Sequence, residues 1–226
     1  MYNQLYADSQ RRIADLVAPL SAAELTQVTT ACPSWTIHDV LAHLAGESTF
    51  FVGQSTDPTE LASKPGSEPW TSAQVAARQD RSVAELLAEW ESRVPVLVQI
   101  PLTSGSWFPM LHDALSHEAD IRGAIGAPRI SPDILAAAWP LLAPVLERRL
   151  SVFGTVRLDL DEQPTLIGSG DPDVIVETSQ YDFWRSYFGR RSVRQIESWV
   201  RLGDAAAFAA ALPVFTPRTE DMVEIG

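Results

Sequence analysis

The chain has 226 residues, 46% of them hydrophobic, enough for one large domain or two small ones to bury a core without staples. Asp and Glu number 29 against 17 Lys and Arg, and the resulting formal charge of -12 repels phosphate backbones and anionic lipid heads, which argues against nucleic acid as a partner. Cys32 is the single cysteine, so no intramolecular disulfide forms, and no apolar run approaches the roughly 18 to 20 residues that a membrane-spanning helix needs. The opening Met-Tyr-Asn-Gln has neither the basic nor the apolar region of a secretion signal, so the expected location is the cytoplasm.

From the N-terminus, Leu5, Ser9, Ile13, Leu16, Val17 and Leu20 recur at helical spacing, which predicts a long helix ending near Leu20. Ser21 to Glu24 has the form of a capping box for a short following helix. After the turn at Cys32 to Trp35, Thr36 and Asp39 form a second capping box, and the helix it starts carries Val40, Leu41, His43 and Leu44. Residues 54 to 70 are rich in Ser, Thr, Pro and Gly and read as a surface connection. From Ser72 one long helical pattern runs through Val75, Val83, Leu86, Leu87, Trp90 and Val94, with Pro95 expected to kink or end it. A fourth helix is predicted from Trp107 to Ile125, closed by Gly126 as a left-handed cap and by Pro128. Four such helices with short or medium connections predict a bundle.

The pattern changes after Pro128. A helix is predicted over 133 to 150, then short strands at Val152 to Leu160, Pro164 to Ile167 and Val174 to Thr178 separated by Asp-Glu-Gln-Pro and Gly-Ser-Gly-Asp-Pro-Asp turns. The tail from Tyr181 to Val214 returns to helix. The expectation is a mainly α protein, with a helical domain over 1 to 129 and a smaller α+β domain over 130 to 226.

All four histidines fall in two pairs on bundle helices, His38 with His43 and His112 with His117. At about 100° per residue, Asp113, His117 and Asp120 form a stripe beside the arc of Met110, Leu111, Ala114, Leu115, Ile121 and Ile125. A carboxylate and an imidazole four residues apart can grip one ion, and a third ligand from a facing helix would leave a position open for water or substrate. His43 is the candidate for that third ligand, while His38 and His112 project elsewhere and are expected to be solvated. The same Asp-x-x-x-His spacing also describes an ordinary exposed polar pair. Asp39, His43 and Glu47 share a stripe, which makes Glu47 a ligand, a general base or a surface acid. Asp120 is either a partner that fixes the tautomer of a ligand imidazole or an interhelical ion pair. Cys32 reads as a small buried hydrophobe, with a reactive thiol as the alternative, and Trp35 as a core anchor of the entry turn. Arg185, Arg190 and Arg191, among Trp184, Tyr187 and Phe188, suit either capture of substrate carboxylates or ion pairs with nearby acids.

Three segments carry a family resemblance: Cys32-Pro-Ser-Trp-Thr-Ile-His-Asp-Val-Leu-Ala-His43-Leu-Ala-Gly46, Asp113-Ala-Leu-Ser-His117-Glu-Ala-Asp120, and Phe183-Trp-Arg-Ser-Tyr-Phe-Gly-Arg-Arg-Ser192. Together they resemble the mycothiol-dependent maleylpyruvate isomerase family. The resemblance implies a DinB-like four-helix bundle followed by a small α+β domain. It also implies a divalent metal, typically zinc, held at the places filled here by His43, Asp113 and His117. The family's glutamate is here Asp113, shorter by one methylene. The resemblance further implies mycothiol or another low-molecular-weight thiol as cofactor, a small electrophilic or carboxylate substrate held by a C-terminal arginine, isomerase or thiol-transferase chemistry, and a monomer or homodimer. Alternatives to it are a metallohydrolase that activates water, with Glu47 or Asp120 moving the proton, and a non-catalytic ligand-binding or regulatory protein.

Overall fold

The computed structural model describes residues 1–100, 104–161 and 163–224, and divides the chain into two compact units, Met1–Ile130 and Ser131–Glu224. The fold is mainly α, as the apolar periodicities require, with a small sheet confined to the second unit. No helix is long and apolar enough to cross a membrane among the described residues.

In the first unit, α1 (Tyr2–Val17), α3 (Ile37–Phe51), α6 (Val83–Leu97) and α7 (Ser104–Ile125) form the bundle, with α3 packed on α6 and α7, and α1 packed on the same two helices. Tyr6, Ile13 and Val17 turn the apolar stripe of α1 inward. Leu86, Trp90 and Leu97 do so for α6, and the Trp90 indole N–H donates to the Tyr6 hydroxyl at 2.8 Å, tying two helices through a buried polar contact. Replacing a buried Trp of this kind by Ala costs about 3–5 kcal/mol. The helix α3 is apolar on nearly every side, and residues Ile37 and Val40 through Thr49 are all buried, as expected of a helix surrounded by others. Both expected capping boxes form, Ser21 with Glu24 at the start of α2 (Ala22–Leu25) and Thr36 with Asp39 at the start of α3.

Three expectations for this unit are corrected. The first helix ends at Val17 rather than near Leu20. Residues 54 to 70 are not a plain connection: α4 (Pro58–Ala62) lies within them and α5 (Glu68–Ala76) starts there. Each helix has a Pro in its first turn, where the missing N–H costs nothing, and so the prolines read as loop residues are helix starters. The long helix expected from Ser72 is two helices, α5 and α6, broken before Ser82, whose hydroxyl and Glu85 form a third capping box. Pro95 stays inside α6 without ending it. Gly126 closes α7 at φ +67°, the left-handed cap read from its position.

In the second unit, α8 (Pro132–Leu150) leads through a 3-10 turn at Ser151–Phe153 into β1 (Val156–Leu160), so the strand expected from Val152 starts four residues later. The sheet order is β2-β1-β3-β4. Strand β2 (Gln163–Ile167) pairs antiparallel with β1, and β3 (Val174–Thr178) pairs parallel with it. Val156, Leu158 and Leu160 alternate inward along β1. Glu162, in the expected Asp-Glu-Gln-Pro turn, lies outside the described residues. The tail is not wholly helical: β4 (Val200–Leu202) separates α9 (Gln180–Tyr187) and α10 (Val193–Trp199) from α11 (Ala205–Ala211) and adds an antiparallel edge to β3.

Candidate metal centre

The capping box at Thr36 fixes where α3 begins, and His43 follows on its inward side. On α7, Asp113 and His117 stand one turn apart, and both elements face each other across the bundle. One ligand atom from each of His43, Asp113 and His117 lies within 4.8 Å of the other two. His43 Nε2 is 2.9 Å from Asp113 Oδ2, and His117 Nε2 is 3.7 Å from Asp113 Oδ1. The imidazoles are almost fully buried, at 2% and 3% exposure, whereas the Asp113 side chain retains 24%, so the cluster opens on the carboxylate side.

The hydrogen bonds behind the cluster set its chemistry. His117 Nδ1 is 3.0 Å from Asp120 Oδ2, where the buried carboxylate accepts the ring N–H. His43 Nδ1 is 2.7 Å from Gln74 Oε1, and Gln74 Nε2 in turn donates to Glu60 Oε1 at 2.6 Å. An amide that donates to Glu60 must turn its oxygen to His43, so the Nδ1 of each imidazole is the atom that donates to its brace, and each Nε2 faces the Asp113 carboxylate across the place a cation or a proton would fill. Two imidazole nitrogens and one carboxylate, each imidazole braced from behind, are a donor set that could hold a divalent cation and leave a position open. The three residues therefore fit a divalent cation.

Aromatic rings enclose the candidate ligands. Trp35 lies against both imidazoles, with ring centroids 4.9 Å from His43 and 5.5 Å from His117, and Trp70 meets His43 edge-on at 5.9 Å. The Trp70 indole N–H is buried with no hydrogen-bond partner among the described residues. Glu47, one turn beyond His43, is also buried, and its Oε2 has no hydrogen-bond partner among the described residues. Burial first, and the negative charge of Asp113 second, hold its carboxyl well above the usual range. Burial, followed by the charge of Glu47, likewise pushes the nearby Tyr6 hydroxyl upward.

Every residue singled out in the first unit is placed by this geometry. His43, Asp113 and His117 converge, Asp120 braces His117, and Glu47 sits beside Asp113 in the bundle interior rather than on the surface. His112 is buried and not solvated, because α7 is enclosed over most of its circumference. His38 is partly exposed and bonds to the Arg81 carbonyl at 2.7 Å. Cys32 is half-buried, in a turn held by Thr29, rather than a fully buried hydrophobe. Trp35, half-buried in the entry turn, also covers the imidazoles of the two candidate ligands. Gln74, Glu60 and Trp70 emerge only from the fold.

The arginines of the second unit occupy a different setting. Arg185 pairs with Glu224 at 2.7 Å, and Arg191 reaches both Asp182 and Glu224 at 2.7 Å. Arg190 donates to the Phe188 carbonyl at 2.7 Å. Arg185 and Arg191 are fully buried, and a substrate-holding role for either would require exchanging these partners.

Residues 6–102 match the family model described as the mycothiol maleylpyruvate isomerase N-terminal domain, a stretch that includes His43 and Glu47 and ends before Asp113. No curated protein matches the chain. Two solved structures are similar: a mycothiol-dependent maleylpyruvate isomerase and a histidine-to-alanine mutant of such an enzyme. Each has a TM-score of 0.53 and 17% sequence identity, over 84% of this chain and 88% of that chain. At that identity the likeness is one of fold.

Proposed function

Starting from an N-terminal region of the mycothiol maleylpyruvate isomerase type, we propose that the chain is a metal-dependent enzyme. It uses mycothiol or another low-molecular-weight thiol on a small electrophilic or carboxylate substrate, in an isomerase or thiol-transferase reaction. The observation that carries this reading is the convergence of His43 Nε2, His117 Nε2 and the Asp113 carboxylate, with the Nδ1 of each ring bonded to a side chain behind it. A divalent cation held there, zinc by its donor set, supplies the Lewis acidity that lowers the pKa of a thiol or water.

The chain's own residues supply the rest. His43 and His117 bind, and Gln74 and Asp120 orient them. Trp35 and Trp70 exclude water from the imidazole side, which leaves access over Asp113. Glu47, whose ionisation is opposed by burial and by the charge of Asp113, is the buried acid placed to exchange a proton with a reacting group.

The test begins with metal content. Wild type purified with zinc should carry about one ion per chain, and His117→Ala should carry almost none. Equal content in the two proteins would remove the three-ligand site. Wild type supplied with zinc, mycothiol and maleylpyruvate, or an electrophilic thiol acceptor, should then turn over only when thiol is present. A second reading is a metallohydrolase, favoured by the unpartnered Glu47 oxygen as a proton carrier for water. Turnover of an ester or amide without any thiol would select it.

A further inference from the structure

Burying a glutamine and a glutamate inside a helical bundle is costly unless both are fully hydrogen-bonded, and Gln74 and Glu60 are almost entirely inaccessible. They form a single file that starts at the candidate ligand. His43 Nδ1 donates to Gln74, Gln74 donates to Glu60, and Ser55 donates to the second oxygen of Glu60. The polarity of the file is fixed at the outer end, because a carboxylate accepts and cannot turn the amide around. The backbone has been shaped to admit it. Gly46 is one turn beyond His43 on α3, and a Cβ there would lie 2.6 Å from Gln74 Cβ and 2.9 Å from Arg78 Nη1. The absent side chain lets α5 approach closely enough for the Gln74 amide to reach the imidazole.

We propose that Gln74 and Glu60 are positioning residues of the cation site. Together they hold His43 with its proton on Nδ1, so that Nε2 is available as a ligand. This rests on the reading of His43, Asp113 and His117 as cation ligands. It assigns work to two residues of α4 and α5 that offer no atom to the cation themselves. Asp120 performs the same task for His117 with one carboxylate. The His43 side uses a longer file because the acid behind its Nδ1, Glu60, is reached only through the Gln74 amide.

The test uses the full chain with zinc as the probe. Long-range nitrogen–proton NMR of the cation-free protein should show His43 as the Nδ1–H tautomer in wild type and a shift toward Nε2–H in Gln74→Leu. Zinc titration against a competing chelator should show Gln74→Leu weaker by about 10- to 100-fold, the range for losing such a partner. The double exchange Gln74→Glu with Glu60→Gln keeps an acceptor facing His43 and a donor behind it. It should recover affinity to within about threefold of wild type, while Gln74→Glu alone, with two carboxylates face to face, should not. A residue that merely fastened helices would move stability without moving the tautomer. Wild type in the Nε2–H form, or a folded Gln74→Leu that binds zinc as tightly as wild type, overturns the proposal. Should Gln74→Leu fail to fold, Glu60→Gln carries the same two readouts. Wild type that binds no zinc overturns the cation reading itself, which is a separate result from unequal binding among variants.

Discussion

The indole of Trp35 covers the imidazole of His43, with ring centroids 4.9 Å apart and planes inclined by 45°. Because the same ring also lies 5.5 Å from His117, one side chain shields two candidate ligands from solvent. Trp35→Ala should therefore weaken zinc binding by about 2- to 10-fold, the equivalent of the roughly 0.5–1.5 kcal/mol carried by an aromatic contact. Trp35→Phe should recover most of the loss. Chelator competition measures both, and an unchanged dissociation constant in Trp35→Ala would reduce the ring to a passive cover.

Asp120 accepts from His117 Nδ1 at 3.0 Å and is buried. Asp120→Asn keeps the volume and removes the charge that strengthens the ligand's basicity. Zinc affinity should fall by about 10-fold or more. The same measurement on Glu118→Gln, the neighbour that points away toward Arg12 and Arg122, should show a smaller effect on affinity and a larger one on stability.

The distribution of legible and hidden parts follows from what spacing can encode. Asp113 and His117 could be read because four residues on one helix place them on one face, and His43 because its motif and its apolar neighbours turned it inward. The bundle and the short strands of the second unit followed from periodicity in the same way. Gln74 could not be read: it belongs to another helix, and no local pattern ties position 74 to position 43. Its helix was further obscured by the Pro and Ser residues before it, which resemble a loop until they are seen as caps and first-turn positions. The burial of His112 escaped for a related reason. One helix pattern shows an apolar arc but not how many neighbours press on the remaining faces.

Glu47 ties stability to pH in one direction. Its native carboxyl holds a proton that the unfolded chain releases in the ordinary carboxyl range, because burial and Asp113 oppose its ionisation. Stability is therefore lost as pH rises from that range toward the native value. In cation-free protein, Glu47→Gln should match wild type near pH 4 and exceed it at pH 8. Urea unfolding at the two values measures this, and parallel pH dependence in the two proteins would show that Glu47 is ionised in the fold.

Glu224 works with the opposite sign. Burial raises its carboxyl, but the charges of Arg185 and Arg191 and their hydrogen bonds outweigh that and hold it below the usual range. The stabilisation is present above the ordinary glutamate value of 4.5 and disappears as pH falls through the lower native value. Glu224→Gln should cost about 3 kcal/mol at pH 7, since it leaves buried guanidinium charge short of a partner, and much less at pH 3. Chemical denaturation at both values gives the comparison. A constant difference would assign the effect to packing.

Glu118 follows His117 directly on α7 and accepts from Ser9 and from both arms of Arg12 on α1, at 2.8–2.9 Å, as well as from Arg122. Neighbouring positions on a helix differ by about 100° in heading, so this clamp fixes the rotational setting of α7. Turning the helix by one residue would drag an acid into the place of an imidazole and abolish the ligand set without breaking a single backbone hydrogen bond. A random-mutation screen for loss of zinc should therefore recover Arg12, a half-buried residue on a helix that supplies no candidate ligand.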